Sequence, residues 1–100
     1  MYKINFKQPV HVHFIGIGGI SMSGLAEILL KEGFKISGSD NKESALTDHL
    51  RKLGAAVFCG QKASNIIAGI DVVVYTAAIH DDNEEYREAV SQGLPMLSRA

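Results

Sequence analysis

Short apolar runs alternate with amphipathic segments along the whole chain. Residues 10–15, 34–38, 55–59 and 71–76 are runs of this kind, and a fifth begins at residues 96–97. Apolar runs of this length are typical of strands that are buried on both faces of a parallel sheet. The pattern therefore predicts five strands.

Helical periodicity fills the intervals between these runs. The apolar residues between positions 22 and 30 recur every three or four residues, which is the spacing of one helix face. Ser44 and Asn83 are capping residues of the preferred type for a second and a last helix. Residues 63–68 favour a short helix between the third and fourth strands.

Strands that alternate with helices imply a parallel sheet with helices on both faces. Right-handed crossovers then favour the strand order 3-2-1-4-5. The predicted fold class is α/β, a Rossmann-like doubly wound parallel sheet of about five strands in one domain over residues 1–100. The sequence stops just after the fifth strand begins, so we expect a piece of a longer protein.

Composition narrows the classes of partner. The apolar fraction is 46% and the formal net charge is −1, so no basic field is present to attract nucleic acid. No apolar run approaches the roughly 20 residues of a membrane span, and the first residues lack the apolar core of a signal peptide. A single cysteine, Cys59, excludes an internal disulfide. We expect a cytoplasmic protein with no nucleic-acid or membrane partner.

Glycines crowd residues 16–19, where the first strand turns into the first helix. Glycine permits positive φ angles and lets the backbone approach a ligand closely. The first turn of a helix offers unpaired N–H groups and a partial positive charge, which together bind phosphate. We expect the amides of residues 20–23 to be the donors, helped by the hydroxyls of Ser21 and Ser23.

The glycine loop departs from the dinucleotide fingerprint G-x-G-x-x-G. Gly16 and Gly18 occupy its first two positions, but Ser21 occupies the third. A tight turn without a ligand remains the structural alternative. Gly24 lies further along the predicted helix, where its lack of a side chain is expected to let the helix lie close to the sheet.

The spacing of Gly19 and Gly24 also matches the ATP-binding P-loop, G-x-x-x-x-G-K-[ST]. Residues 25–26 are Leu-Ala, where that motif requires Lys and Ser or Thr. No side chain would then reach a γ-phosphate or Mg²⁺. A nucleoside-triphosphatase site is therefore excluded at this loop.

Asp40 ends the second strand, about 20 residues after the glycines, as the ribose-binding acid of dinucleotide folds does. Its carboxylate could accept hydrogen bonds from a ribose or from a base N–H. The alternative is a structural aspartate that starts a turn or caps nearby amides.

The remaining polar residues favour ordinary structural roles. His11 and His13 face one side of a strand without a third metal ligand, so we expect packing or surface histidines. Cys59 is expected to be an inert small apolar side chain, and residues 80–82 a solvated loop. Glu84, Glu85, Arg87 and Glu88 are expected to form a solvated helix face. Spacing supports no catalytic and no metal-binding residue.

Three stretches together resemble a known family. They are HFIGIGGISMSGLAEILLKEGFKISGSD at residues 13–40, VVYTAAI at residues 73–79 and LPMLSRA at residues 94–100. Their pattern is similar to that of the UDP-N-acetylmuramate–L-alanine ligases of bacterial peptidoglycan synthesis. The related murein-peptide ligases share part of it.

The resemblance implies the first, Rossmann-like domain of a three-domain ligase, which holds the UDP moiety of UDP-N-acetylmuramate. In such enzymes ATP phosphorylates the lactyl carboxylate, the L-alanine amine attacks the acyl phosphate, and Mg²⁺ neutralises the phosphates. ATP and Mg²⁺ are thus implied for the full-length enzyme, and no cofactor for this chain, which is expected not to be catalytic by itself. Its partners would be UDP-N-acetylmuramate and the remaining ATP-binding and C-terminal domains.

The resemblance also implies site residues. One group would line the diphosphate, a second would hold the uridine end, and a third would form the opposite wall after the fourth strand. Ser21 stands where many members have glycine. In the same order, the three groups are Gly18, Gly19, Ile20, Ser21, Met22 and Ser23; Asp40 and Asn41; and Thr76, Ala77, Ala78 and Ile79.

Two other hypotheses fit the same loop. One is the NAD-binding domain of a dehydrogenase, with Asp40 on the adenosine ribose; the residue at Ser21 argues against it. The other is a regulatory module that senses a nucleotide, as in potassium-uptake regulators, against which the segments at residues 76–79 and 97–100 weigh.

Overall fold

The structure, a computed structural model, describes residues 2–99. Met1 and Ala100, which the predicted domain of residues 1–100 includes, lie outside the described residues. Strands and helices follow one another in the order that the hydrophobic pattern predicts. They are β1 His11–Ile15, α1 Ile20–Lys31, β2 Lys35–Asp40, α2 Ala45–Lys52, β3 Ala56–Cys59, β4 Val72–Thr76, α3 Glu84–Ser91 and β5 Met96–Arg99.

The five strands form one parallel sheet in the order β3-β2-β1-β4-β5, which confirms the predicted topology. At the centre, Val12 of β1 lies opposite Ile36 of β2 on one side and Val72 of β4 on the other. The link from β3 to β4 contains only a 3₁₀ turn, Ala63–Asn65, where a short helix over residues 63–68 was expected.

Both faces of the central strand are covered, which explains why every residue of β1 is buried. Val12 and Phe14 face one side, in the larger apolar cluster, to which α1 and α2 contribute. Ile15 faces the other side, where Ala89 of α3 and Ile66 pack against it. This alternation is the period of two that a strand imposes on its side chains.

Helix caps fix where α2 and α3 begin. The Ser44 hydroxyl accepts a hydrogen bond from the Thr47 N–H, and the Asn83 side chain accepts one from the Tyr86 N–H, so both predicted caps are confirmed. Helix α1 differs, because its N-cap is Gly19, which has no side chain to offer. The first amides of α1 are therefore left without a capping group.

Glu85 lies completely buried between α3 and the sheet, so the prediction that it belongs to a solvated helix face with Glu84, Arg87 and Glu88 is wrong at this position. Its Oε1 accepts a hydrogen bond from Asn65 Nδ2 at 2.8 Å. Its Oε2 accepts one from the Ser39 hydroxyl at 2.9 Å and lies 2.5 Å from His13 Nε2. These bonds supply the partners that a buried carboxylate requires.

The two histidines of β1 extend this network. Ser37 Oγ lies 2.7 Å from His11 Nε2 and 2.8 Å from His13 Nδ1, so both rings face the same side and pack inside the protein, as expected. Burial, reinforced by the Lys35 charge, lowers the pKa of His11. No buried side-chain nitrogen or oxygen within residues 2–99 lacks a hydrogen-bond partner.

The glycine that a close contact requires is Gly38 in β2, and not Gly24 in α1. A Cβ added at Gly24 would have no heavy atom within 4 Å, so the expectation that Gly24 lets α1 approach the sheet is wrong. A Cβ at Gly38 would lie 2.7 Å from Ile17 Cδ1 and 2.8 Å from the Phe14 carbonyl oxygen. Gly38 thus allows the glycine loop to rest on β2. Cys59, expected as an apolar strand residue, is exposed.

Replacing Gly38 with alanine should lower the free energy of unfolding by about 2 kcal/mol or more, because the new methyl group overlaps a side chain and the backbone of β1. Gly24→Ala is the matched control. It should raise that free energy by up to about 1 kcal/mol, because alanine is the better helix former at an exposed position. Urea denaturation of both variants measures the difference, and equal effects would contradict this account of β2.

Replacing Glu85 with alanine should cost about 3 kcal/mol of unfolding free energy, since it leaves the buried His13, Ser39 and Asn65 groups without their acceptor. The control is Glu88→Ala on the same helix, where the carboxylate contacts Gln92 at the surface; a change within about 0.5 kcal/mol is expected there. Thermal and urea unfolding compare the two. Similar losses in both variants would contradict the role assigned to the buried carboxylate.

Candidate functional site

The end of β2 holds the glycine loop that follows β1. The N–H groups of Gly16 and Ile17 both donate to the Ser39 carbonyl oxygen, at 2.8 and 2.9 Å. The next N–H, that of Gly18, donates to Asp40 Oδ2 at 2.9 Å. Gly16 has φ +90°, a conformation that glycine adopts without strain. Three successive amides of the loop are therefore bound within the protein.

Gly18 is required by the closeness of Asp40. A Cβ at residue 18 would lie 2.8 Å from Asp40 Oδ2 and 3.2 Å from a methyl carbon of Thr47. Any larger residue would have to displace the carboxylate that holds the loop. Gly19, by contrast, would bring its Cβ no closer than 3.6 Å to the nearest neighbour, the Gly16 carbonyl oxygen.

The start of α1 presents unpaired donors. The first hydrogen bond of the helix runs from the Ser23 N–H to the Gly19 carbonyl oxygen at 2.7 Å. The N–H groups of Ile20, Ser21 and Met22 donate to no acceptor within residues 2–99. Together with the helix dipole, three such groups favour an anion at this point. The amides of residues 20–23 were the expected phosphate donors, and the one of Ser23 is already hydrogen-bonded within the helix.

The side chains of this turn differ in what they offer. Ile20 is 86% exposed, whereas the Met22 side chain is buried in the core below α1. The Ser23 hydroxyl donates to the Ile20 carbonyl oxygen at 3.1 Å and stays inside the turn. The exposed Ser21 hydroxyl accepts a hydrogen bond from Arg99 Nε at 2.7 Å. Only Ser21 therefore adds a side-chain hydroxyl that a ligand could reach.

Asp40 is half-buried and already has two partners. Besides the Gly18 N–H, it accepts a hydrogen bond from the Lys42 N–H through Oδ1, at 3.1 Å. Asp40 therefore has the structural role named above as the alternative, since its side chain caps nearby amides. A carboxylate has about four acceptor positions, so two bonds leave capacity for a ligand hydroxyl. Asn41 beside it is exposed, and its Nδ2 lies 3.5 Å from Gln61 Oε1.

The segment after β4 lies beside the glycine loop, because β4 pairs with β1. The Ile79 N–H donates to the Thr76 carbonyl oxygen at 2.9 Å, which turns the chain sharply. Ala77 and Ala78, at the tip of this turn, are exposed. The segment predicted as a wall and the glycine loop thus follow neighbouring strands where the strand order reverses, which is where sheets of this type usually bind ligands.

Two aromatic rings pack together just before the segment that follows β4. The rings of Tyr75 and Tyr86 meet edge to face with their centroids 5.1 Å apart, joining the end of β4 to α3. The neighbouring Tyr75 raises the pKa of Tyr86, with burial adding to the effect.

Two residues near the crevice were missed by the sequence analysis. Arg99 reaches Ser21 from the end of β5, and Gln61 follows β3 next to Asn41. Their position after parallel strands was the signal that could have found them, since all such strand ends face one edge of the sheet.

The residues of the glycine loop and of the start of α1 do not fit an ATP–Mg²⁺ site. Ala26, at the position where a P-loop needs a hydroxyl, is completely buried in the core, and Leu25 packs against the same core. Within residues 2–99 there is also no group of three or more His, Cys, Asp or Glu side chains arranged to hold a metal ion. No helix of the described part of the chain is long and apolar enough to cross a membrane.

Comparison with known proteins identifies the family. Residues 11–100 match the Mur ligase family, catalytic domain. The chain belongs to the Mur ligase family. This confirms the resemblance seen in the sequence. The chain is 65% identical, over all 100 residues, to the UDP-N-acetylmuramate–L-alanine ligase of Agathobacter rectalis, of which it spans 22%.

Solved structures of Mur ligases agree with this assignment. The UDP-N-acetylmuramate–alanine ligase of Thermotoga maritima superposes with a TM-score of 0.85 at 38% identity, covering 90% of this chain and 21% of that one. The UDP-N-acetylmuramate:L-alanyl-γ-D-glutamyl-meso-diaminopimelate ligase of Neisseria meningitides gives 0.82 at 33% identity, covering 91% of this chain and 29% of that one. The chain thus spans 21% and 29% of these two Mur ligases.

Removing the Asp40 carboxylate should loosen the glycine loop. In Asp40→Ala we expect amide hydrogen exchange at Gly18 to become about tenfold faster, because the bond to a charged acceptor that protects it is lost. Asp82→Ala, at an exposed position in the loop after β4, is the control and should leave that rate unchanged. Exchange followed by NMR measures both. Unchanged protection of Gly18 in Asp40→Ala would contradict the assigned bond.

Proposed function

We propose that this chain binds the UDP moiety of UDP-N-acetylmuramate, as the nucleotide-binding domain of an ATP-dependent ligase that adds L-alanine in peptidoglycan synthesis. The observation that carries the proposal is the row of free N–H groups at Ile20, Ser21 and Met22, beside a loop bound by Asp40. Membership of the Mur ligase family, with a relative named for this activity, supports the choice of nucleotide.

In this proposal each group of site residues has one task. The diphosphate accepts hydrogen bonds from the three free amides of α1, and Gly18 and Gly19 keep the approach clear of side chains. Ser23 contributes by closing the first turn of the helix. Asp40 and Asn41 hold the uridine end, and the segment from Thr76 through Ala77 and Ala78 to Ile79 bounds the crevice on the β4 side.

Chemistry at the lactyl carboxylate would take place outside these residues. ATP with Mg²⁺ supplies the phosphoryl group that activates the carboxylate in such a ligase. This chain holds and orients the nucleotide of the substrate, in the cytoplasm, and the ATP-binding and C-terminal domains of the longer protein are its partners. It has no catalytic residue of its own in this proposal.

Two other candidates are less favoured. A murein-peptide ligase is supported by the similarity to the Neisseria meningitides structure, and the diphosphate proposal at α1 would hold for it as well. A dehydrogenase domain that binds NAD is disfavoured by the family match, since the same residues 11–100 belong to the Mur ligases. NAD and UDP therefore serve as competing ligands in the test.

Replacing Ile20 with proline tests the amide row directly. Proline at the first position of a helix keeps the helix but removes one N–H donor. We expect UDP affinity to fall about tenfold or more, the value of one hydrogen bond to a charged acceptor. Ile20→Ala, which removes most of the side chain and keeps the N–H, is the control and should bind nearly as the parent chain does.

The measurement is an NMR titration of amide shifts with UDP, UDP-N-acetylmuramate and NAD at concentrations up to millimolar. Shifts at residues 18–23 and 40–41 with both uridine compounds, and weaker ones with NAD, are expected. Absence of shifts there with either uridine ligand, or tighter binding of NAD, would overturn the proposed function.

A further inference from the structure

We propose that the carboxamide of Gln61 donates a hydrogen bond to the C4 carbonyl of the base, and so makes this site prefer uridine over cytidine nucleotides. The inference rests on the proposed function. It deepens that function by naming the residue that selects the base, which neither the sequence pattern nor the family match assigns.

Gln61 lies where the base of a nucleotide bound at α1 would end. The diphosphate donors follow β1, Asp40 closes the neighbouring β2, and Gln61 follows β3, the next strand outward. The Gly60 N–H donates to the Asp40 carbonyl oxygen at 2.8 Å, which brings the ends of β2 and β3 together. A nucleotide that runs outward from phosphate to ribose to base meets these three positions in order.

The orientation of the Gln61 side-chain amide is fixed by a chain of hydrogen bonds. The Tyr86 N–H can only donate, and it donates to Asn83 Oδ1 at 3.0 Å as the cap of α3. Asn83 must then turn its Nδ2 the other way, where it donates to Gln61 Oε1 at 2.8 Å. The same Gln61 oxygen lies 3.5 Å from Asn41 Nδ2, a second donor.

The reverse orientation is disfavoured at both ends. Turning the Gln61 amide over would place its NH₂ against the NH₂ of Asn83, two donors without an acceptor between them. Turning Asn83 as well would remove the cap of α3, at a cost of about 1 kcal/mol. The backbone of α3 thus determines which end of Gln61 is occupied.

Because the side-chain oxygen of Gln61 faces Asn83, its NH₂ group is left to offer two N–H donors to a ligand. Its Nε2 donates to no acceptor within residues 2–99, and the residue is half-buried just after the end of β3. Uracil offers an oxygen at C4, which accepts such a bond. Cytosine offers an amino group there, which is itself a donor. A fixed donor at this place therefore favours uracil, and a fixed acceptor would favour cytosine.

Gln61→Glu changes only the exposed end of this side chain. Glutamate keeps an oxygen for Asn83 and replaces the NH₂ group by a second oxygen. The added charge weakens the binding of every nucleoside diphosphate, so the informative quantity is the ratio of UDP affinity to CDP affinity. Gln61→Met keeps the length of the side chain and removes both donor and acceptor. Gln8→Glu makes the same charge change at an exposed position before β1 and serves as the control.

Affinities for UDP and CDP are measured by NMR titration of the full chain and the three variants, each first checked for folding by its amide spectrum. The parent chain and Gln8→Glu should prefer UDP by about fivefold, the value of one hydrogen bond at a half-exposed position. Gln61→Met should lose the preference, and Gln61→Glu should prefer CDP.

The outcomes separate this inference from the proposed function. If UDP shifts residues 18–23 but the UDP-to-CDP ratio is the same in Gln61→Glu, Gln61→Met and the parent, the role of Gln61 is overturned and the diphosphate site stands. If neither nucleotide binds the parent chain at millimolar concentration, both fall. A reversed ratio in Gln61→Glu with an unchanged ratio in Gln8→Glu supports the assignment.

Discussion

The carboxyl end of β2 binds the peptide N–H groups of the glycine loop, and this set of hydrogen bonds shapes the candidate site. Ser39 takes the first two amides through its carbonyl oxygen, and the Asp40 side chain takes the next. The chain then enters α1, where the N–H groups of Ile20, Ser21 and Met22 donate to no acceptor within residues 2–99. An acidic side chain thus holds the loop that precedes the proposed anion site.

The opposite face of the sheet depends on a buried carboxylate. Glu85 joins α3 to β1 through His13 and to β2 through Ser39, and its other oxygen holds Asn65 in the link after β3. The position of α3 decides where Asn83 caps it, and through Asn83 the orientation of Gln61. A polar network in the core is therefore connected to Gln61, just after β3, through one helix.

The sequence predicts the strand order, the glycine loop and the caps at Ser44 and Asn83 because each depends on residues that are close in the chain. Apolar runs mark strands, and capping residues act within three positions of themselves. The burial of Glu85 could not be predicted in this way, since its partner His13 lies 72 residues away. Gln61 likewise takes its orientation from a residue 22 positions later, and polar residues with such distant partners look like surface residues in a pattern of hydrophobicity.

The central position of β1 has a consequence for how the chain folds. The His11 N–H and carbonyl oxygen both bind Asp71, 60 residues further on, at the start of the pairing with β4. Sheets built from such distant pairings form slowly, because the entropy of closing the intervening loop is lost before the stabilising contacts form. Until α3 is also in place, the face of β1 that packs against α3 is uncovered. That side carries the two histidines, which are better hydrated than the apolar side chains of an ordinary core strand.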